Sequence, residues 1–160
     1  MKKAATVVPV FFPELGSEPH FVVFRRGSKR SVQAGKDVIS FGGHRDPSDR
    51  NLRHTAGREL HEESGLTFDP RRIIGQLHVY FTPGRRGKAY VHLVEGTQLD
   101  RLYKSIQSIN DGRHEEFQSA RVVSLSALRQ ELDGEHHFAL PDFGRKVVEL
   151  VSGWHLEQNH

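Results

Sequence analysis

The chain has 160 residues, 36% of them apolar and 27% charged, with a net charge of +3 and no cysteine. These values fit one soluble globular domain, residues 1–160, with a real core, and they exclude disulfides, thiol catalysis and zinc–thiolate sites. The excess of cations, paired at 25–26, 29–30, 71–72 and 85–86, suits anionic partners such as phosphate-bearing metabolites or RNA.

The first residues place two lysines before an apolar stretch, a faint echo of a secretory signal. No small-residue cleavage site follows, and 5–12 is needed as a first strand, so a cytoplasmic protein is the expectation. No apolar run reaches the roughly 18 residues that span a bilayer, so no membrane partner is expected. Residues 5–12 and 20–25, rich in Val and Phe on either side of a Pro-flanked turn, predict two strands. A short strand over 38–41 then delivers the chain to Gly42-Gly43.

The next segment carries the chemistry. Leu52, Ala56 and Leu60 recur at helical spacing and predict a helix with one buried stripe. The same helix bears Arg58, Glu59, Glu62 and Glu63, and Gly65 stands at its left-handed capping position. Offsets of three and four place Glu59 beside both Glu62 and Glu63. Crowded carboxylates repel, and a divalent cation turns that repulsion into attraction, since Mg²⁺ takes oxygen ligands and brings substrate phosphates. A solvated acidic face with an Arg58–Glu62 surface pair is the simpler alternative for such a cluster in isolation.

Downstream, 73–81 and 88–94 predict a hairpin around a glycine-rich tip at 83–87, mobile enough to close over a ligand. Helices are predicted over 99–109 and 125–132, a strand over 121–124, and a closing helix over 143–151 opened by Pro141. Mixed strands and helices of this kind predict an α+β layered sandwich. Phe24, Tyr80, Phe81 and Tyr90 could stack on a base or simply fill a core. Arg25, Arg26, Arg85 and Arg86 could hold phosphate or simply face solvent.

From Gly43 the chain runs five residues to Asp49, eight more to Arg58, and then Arg58-Glu-Leu-His-Glu-Glu-Ser-Gly-Leu66. This resembles the Nudix hydrolase box, in which Glu usually stands where Asp49 is and the second interval is one residue shorter. The string Gly-Gly-His-Arg-Asp-Pro-Ser-Asp, then Thr55-Ala56, is loosely similar to the coenzyme A diphosphatase branch, with Phe41 where that branch has Pro.

The resemblance implies a Nudix-type α/β/α sandwich around a central mixed sheet. It implies hydrolysis of the pyrophosphate bond in a nucleoside diphosphate derivative, coenzyme A-like, nucleotide sugar, dinucleotide or capped RNA, with Mg²⁺ or Mn²⁺ as cofactor. By the same resemblance Glu59, Glu62 and Glu63 are metal ligands together with the Gly43 carbonyl, and Arg58 orients a carboxylate. Glu62, Glu115 or Glu116 serves as general base, with His114 adjacent. Arg25, Arg26, Tyr80 and Arg85 are the substrate-binding candidates. The expected partner is a nucleotide-derived small molecule, with RNA and homodimer formation as further expectations. The alternative is a Nudix-fold RNA- or protein-binding module with little or no catalysis.

Overall fold

The computed structural model describes residues 2–27, 33–82, 84–134 and 137–159. Seven strands and four helices follow in the order β1 Lys2–Val10, β2 His20–Arg26, β3 Asp37–Val38, β4 Phe41–His44, α1 Leu52–Ser64, β5 Ile73–Thr82, β6 Arg85–Leu93, α2 Leu99–Asn110, β7 Phe117–Ser124, α3 Leu125–Asp133 and α4 Pro141–Gln158.

The strands form two sheets rather than one. A mixed sheet has the order β4-β1-β6-β5, with β1 parallel to β6 and antiparallel to β4, and an antiparallel sheet has the order β3-β2-β7. An isolated bridge between Phe11 and His20 links the two. The strand expected over 38–41 is split for this reason. Asp37–Val38 pairs with β2, the chain bends at Ile39 and Ser40, and Phe41–His44 pairs with β1. Pro9 is tolerated inside β1 because β4 pairs only with Ala4 to Val7, leaving that side of Pro9 without a ladder in the mixed sheet.

Alternation along the central strands builds two cores. Ala5 and Val7 of β1 and Val22 and Phe24 of β2 meet Ala56 and Leu60 of α1 and Leu102 and Ile109 of α2. The intervening Val8, Val10, Phe21 and Val23 meet Leu128 and Leu132 of α3 and Val147, Val148 and Val151 of α4. Both strand faces are therefore covered by helices, which is why the two segments read as near-continuous apolar runs. Each fully buried aliphatic side chain contributes about 1.5–3 kcal/mol, so the two layers hold the sheets firmly.

Three boundaries differ from the sequence expectation. The hairpin strands extend to Thr82 and from Arg85, so Arg85, Arg86 and Gly87 are laddered against Lys2, Lys3 and Ala4 rather than lying in a mobile tip. β7 begins at Phe117, because its whole length pairs with β2. α4 continues to Gln158, since Trp154 and His155 pack against Phe12 and give the last turns a partner.

Candidate metal and phosphate site

α1 is held in place at both ends. Asn51 caps it by accepting a hydrogen bond from the His54 amide at 2.9 Å, and Gly65, at φ 75°, donates to the His61 carbonyl. The helix thereby presents its acidic side chains to the end of β4. A Cβ at Gly43 would fall on the Glu59 carboxylate, so only glycine permits this approach.

Arg58 organises the loop that joins β4 to α1. Its Nε and Nη2 donate to the two carboxylate oxygens of Asp49, each at 3.1 Å, and Nη2 also donates to the His44 carbonyl at 3.1 Å. Nη1 donates to Glu59 Oε1 at 3.1 Å and to Glu62 Oε2 at 3.3 Å. Asp49 is buried and accepts further from the Asp46 amide and the Thr55 hydroxyl, both at 2.9 Å. The Arg58 hydrogen bonds hold the Asp49 carboxyl far below the usual carboxylate range, against the opposing effect of burial. Asp49 in turn pushes the Arg58 guanidinium above its ordinary value.

Glu63 is the unusual member. Both of its carboxylate oxygens are buried, and among the described residues no hydrogen-bond donor reaches either of them. Its polar neighbours are the carboxyl groups of Glu59 and Glu116. Burial first, and then the charges of Glu116 and Glu59, push its carboxyl up to about 10. Burial also raises Glu59, with Glu62 adding to the rise. A buried acceptor without a donor is costly, and a cluster of such acceptors suits a hard divalent cation. Glu59, Glu63 and Glu116 beside the Gly43 backbone offer the oxygen donors that a hard divalent cation takes. Among the described residues no three His, Cys, Asp or Glu side chains are arranged as a finished metal site, while Glu59 and Glu116 each neighbour Glu63.

Glu116 is brought in by His114. The His114 Nδ1 accepts from the backbone amides of Glu116 at 3.0 Å and Phe117 at 3.3 Å, which leaves Nε2 to carry the proton and donate to the Glu63 carbonyl at 3.2 Å. The loop before β7 is thus fastened to the last turn of α1.

Beside this cluster lies a cavity of about 270 Å³ between the two sheets. Gly42, Gly43, His44 and Glu116 form its acidic end, Arg26 and Arg85 its cationic wall, and Phe81, Phe138 and Phe143 its apolar lining. Asp37, 5% exposed, borders it too and is held by Arg25 Nε at 3.0 Å and Arg121 Nη2 at 3.5 Å.

The structure thus gathers Gly43, Glu59, Glu63 and Glu116, with Arg26 and Arg85 in the adjoining cavity. Glu62 stands at the solvent rim, more than half exposed, and pairs with Arg58. Glu115 is exposed. Arg25 is turned to Asp37, and Tyr80 lines a separate concavity with Lys3, Arg86 and Lys88. Of the double histidine at 136–137, His136 lies outside the described residues and His137 is exposed. Not anticipated from the sequence are the Asp49 clasp on Arg58, the locked His114 tautomer and Asp37. The nine-residue separation of Asp49 and Arg58, two helical turns and a loop, is the one signal that could have flagged the first.

A family model described as NUDIX domain matches residues 1–143. The chain belongs to the Nudix family. Solved structures agree in fold. A mutT/nudix family protein from Listeria innocua is similar at TM-score 0.69 and 18% identity, over 97% of this chain and 96% of that one. A MutT protein from Methanosarcina mazei Go1 aligns at 0.55 and 23% identity, over 90% and 91% of the two chains. A C. elegans Ap4A hydrolase aligns at 0.58 and 16%, over 96% and 99%. No curated protein matches the sequence. The Nudix box read in the sequence falls on the β4–α1 segment and the acidic cluster described above.

Proposed function

We propose that the protein hydrolyses the pyrophosphate bond of a nucleoside diphosphate derivative with Mg²⁺ or Mn²⁺. The observation that carries this reading is the buried carboxylate of Glu63, which no donor among the described residues reaches, beside Glu59 and Glu116, the last of which also lines a cavity with two arginines. A bound divalent cation supplies Lewis acidity and a more acidic water.

Each residue then has a task. Glu59, Glu63 and Glu116, with the Gly43 carbonyl, would hold the cation, with Glu62 at the solvent rim paired to Arg58. Arg58 is a positioning residue: its hydrogen bonds to Glu59 and Glu62 fix both carboxylates while Asp49 fixes Arg58. Glu116 reaches both the cluster and the cavity, so it is the group suited to take a proton from the attacking water. Arg26, packed with its guanidinium 6.0 Å from the Phe117 ring centroid, and Arg85 hold the substrate phosphates, and the phenylalanine wall takes the less polar part.

The test is a phosphate-release panel of dinucleoside polyphosphates, nucleotide sugars, coenzyme A and capped RNA, with Mg²⁺ or Mn²⁺, comparing wild type with Glu63→Gln. Turnover that needs metal and falls by orders of magnitude in the variant supports the reading. A panel with no turnover at all defeats it, and inert coenzyme A beside another cleaved nucleotide removes the coenzyme A branch alone.

A further inference from the structure

Beyond the first turn of α1, the sheet face that this helix covers continues bare. On it Lys3 pairs with Arg86, which lies opposite Tyr80, and Lys88 lies opposite His78 in the next row. Adjacent strands stand about 4.8 Å apart, so these side chains form a tight two-row block. Two shallow concavities of about 430 and 440 Å³ meet here, sharing Lys3, Leu52 and Lys88. The second adds Arg45, Arg50 and Arg53 from the β4–α1 loop and the first turn of α1. Six cations therefore border one continuous depression, and among the described residues no Asp or Glu lines either part.

A one-sign field of this size is unfavourable to collect on a fold unless an anion discharges it. The structure assigns this depression to single-stranded nucleic acid, with the phosphodiester backbone on Lys3, Arg53, Arg86 and Lys88 and a base on Tyr80. Tyr80 is 66% exposed on the edge strand β5, at the end of the row it forms with Arg86 and Lys3, where an aromatic face serves as a stacking platform. The concave shape suits a strand better than a planar bilayer. Tyr80 is also the only one of the large exposed hydrophobic side chains among the described residues that lies here, so the surface lacks the apolar groups that insert into lipid. The depression is distinct from the cavity at the acidic cluster, which carries different lining residues.

Fluorescence anisotropy with a labelled twelve-nucleotide RNA bearing a 5′-hydroxyl, in EDTA, tests this without any anhydride to cleave. Binding is expected at 50 mM salt, with log K falling against log salt at a slope of roughly −3 to −4, as four to six neutralised phosphates require. Arg86→Gln and Lys88→Gln should each reduce that slope by about 0.7, and the double reversal Arg86→Glu/Lys88→Glu should weaken binding more than tenfold with an unchanged circular dichroism spectrum. Tyr80→Leu should weaken binding roughly five- to hundredfold at the same slope. No binding, or binding indifferent to these substitutions, overturns the assignment. So does tighter capture by the same sequence as a duplex, or by vesicles rich in phosphatidylserine.

Discussion

His114 and Glu63, 51 residues apart in the chain, are joined by the imidazole Nε2 donating to the Glu63 carbonyl at 3.2 Å. The same ring holds the Glu116 amide through Nδ1, so one side chain sets the distance between two of the three clustered carboxylates. His114→Ala removes these hydrogen bonds and frees the loop before β7. The expected result is a stability loss of about 1–3 kcal/mol, measured by urea unfolding. Mg²⁺-dependent turnover should fall further than that loss explains, by about tenfold or more at temperatures where the variant is fully folded. A variant with normal turnover would mean that Glu116 has no part in the site.

The raised Glu63 carboxyl makes a prediction for the metal-free protein. A group raised to about 10 in the folded state carries its proton at neutral pH, and the stability this lends is present below the unfolded value near 4.5 and lost as pH rises toward 10. Glu63→Gln keeps the neutral form at every pH. In EDTA the variant should therefore match wild type near pH 4 and exceed it by up to about 5 kcal/mol near pH 8 in chemical denaturation. With Mg²⁺ the order should reverse, because only wild type gains from the ion. Cation uptake by wild type at pH 7 should also release a proton, read by calorimetry in buffers of different ionisation enthalpy.

Much of this was legible in the sequence, for physical reasons that differ by element. The i, i+4 stripe of Leu52, Ala56 and Leu60 and the glycine at 65 gave α1 nearly residue for residue, since helix packing and capping are local. The two central strands announced themselves because both of their faces are buried. The split of the sheet at Ile39 was hidden, as a two-residue strand is set by its partners and leaves no period to read. Glu59, Glu62 and Glu63 were grouped by their helical spacing and by the family resemblance, and the structure sets Glu59 beside Glu63. Glu62 diverges from Glu63 because neighbouring residues on a helix point about 100° apart, and here Arg58 draws Glu62 outward. The choice of Glu116 over Glu115 depends on a histidine tautomer fixed by a contact across the fold. Asp37 and the phenylalanine wall are assembled from three distant segments, so their meeting could not be inferred from any one of them.

Gly43 offers a steric test. A methyl group at this position has to share space with the Glu59 carboxylate. Gly43→Ala should displace Glu59 while leaving the β4 ladder to Ala5 in place, so the fold survives and the acidic cluster shifts. Turnover should drop by about a hundredfold, the scale of an ångström-sized misplacement, with Mg²⁺ affinity reduced in parallel by calorimetry. An alanine variant with full activity would show that Glu59 can move without consequence and is not a ligand.

Asp49, buried against Arg58, anchors the loop from which the rest of the site hangs. Removing one partner of a buried ion pair leaves the other uncompensated, so Asp49→Ala should cost about 3–5 kcal/mol in urea unfolding. Asp49→Asn, which retains one acceptor and the shape, should cost less. The pH dependence separates charge from shape. Because the folded carboxyl is depressed, its contribution is present above the unfolded value of about 3.9 and is lost as pH falls below it toward the folded value. Wild-type stability should thus decline as the solution is acidified below about pH 4, while Asp49→Asn declines less steeply over that interval. Parallel acid limbs in the two proteins would show that Asp49 is not ionised against Arg58, and the account of Arg58 as a guanidinium fixed by that carboxylate would fall with it.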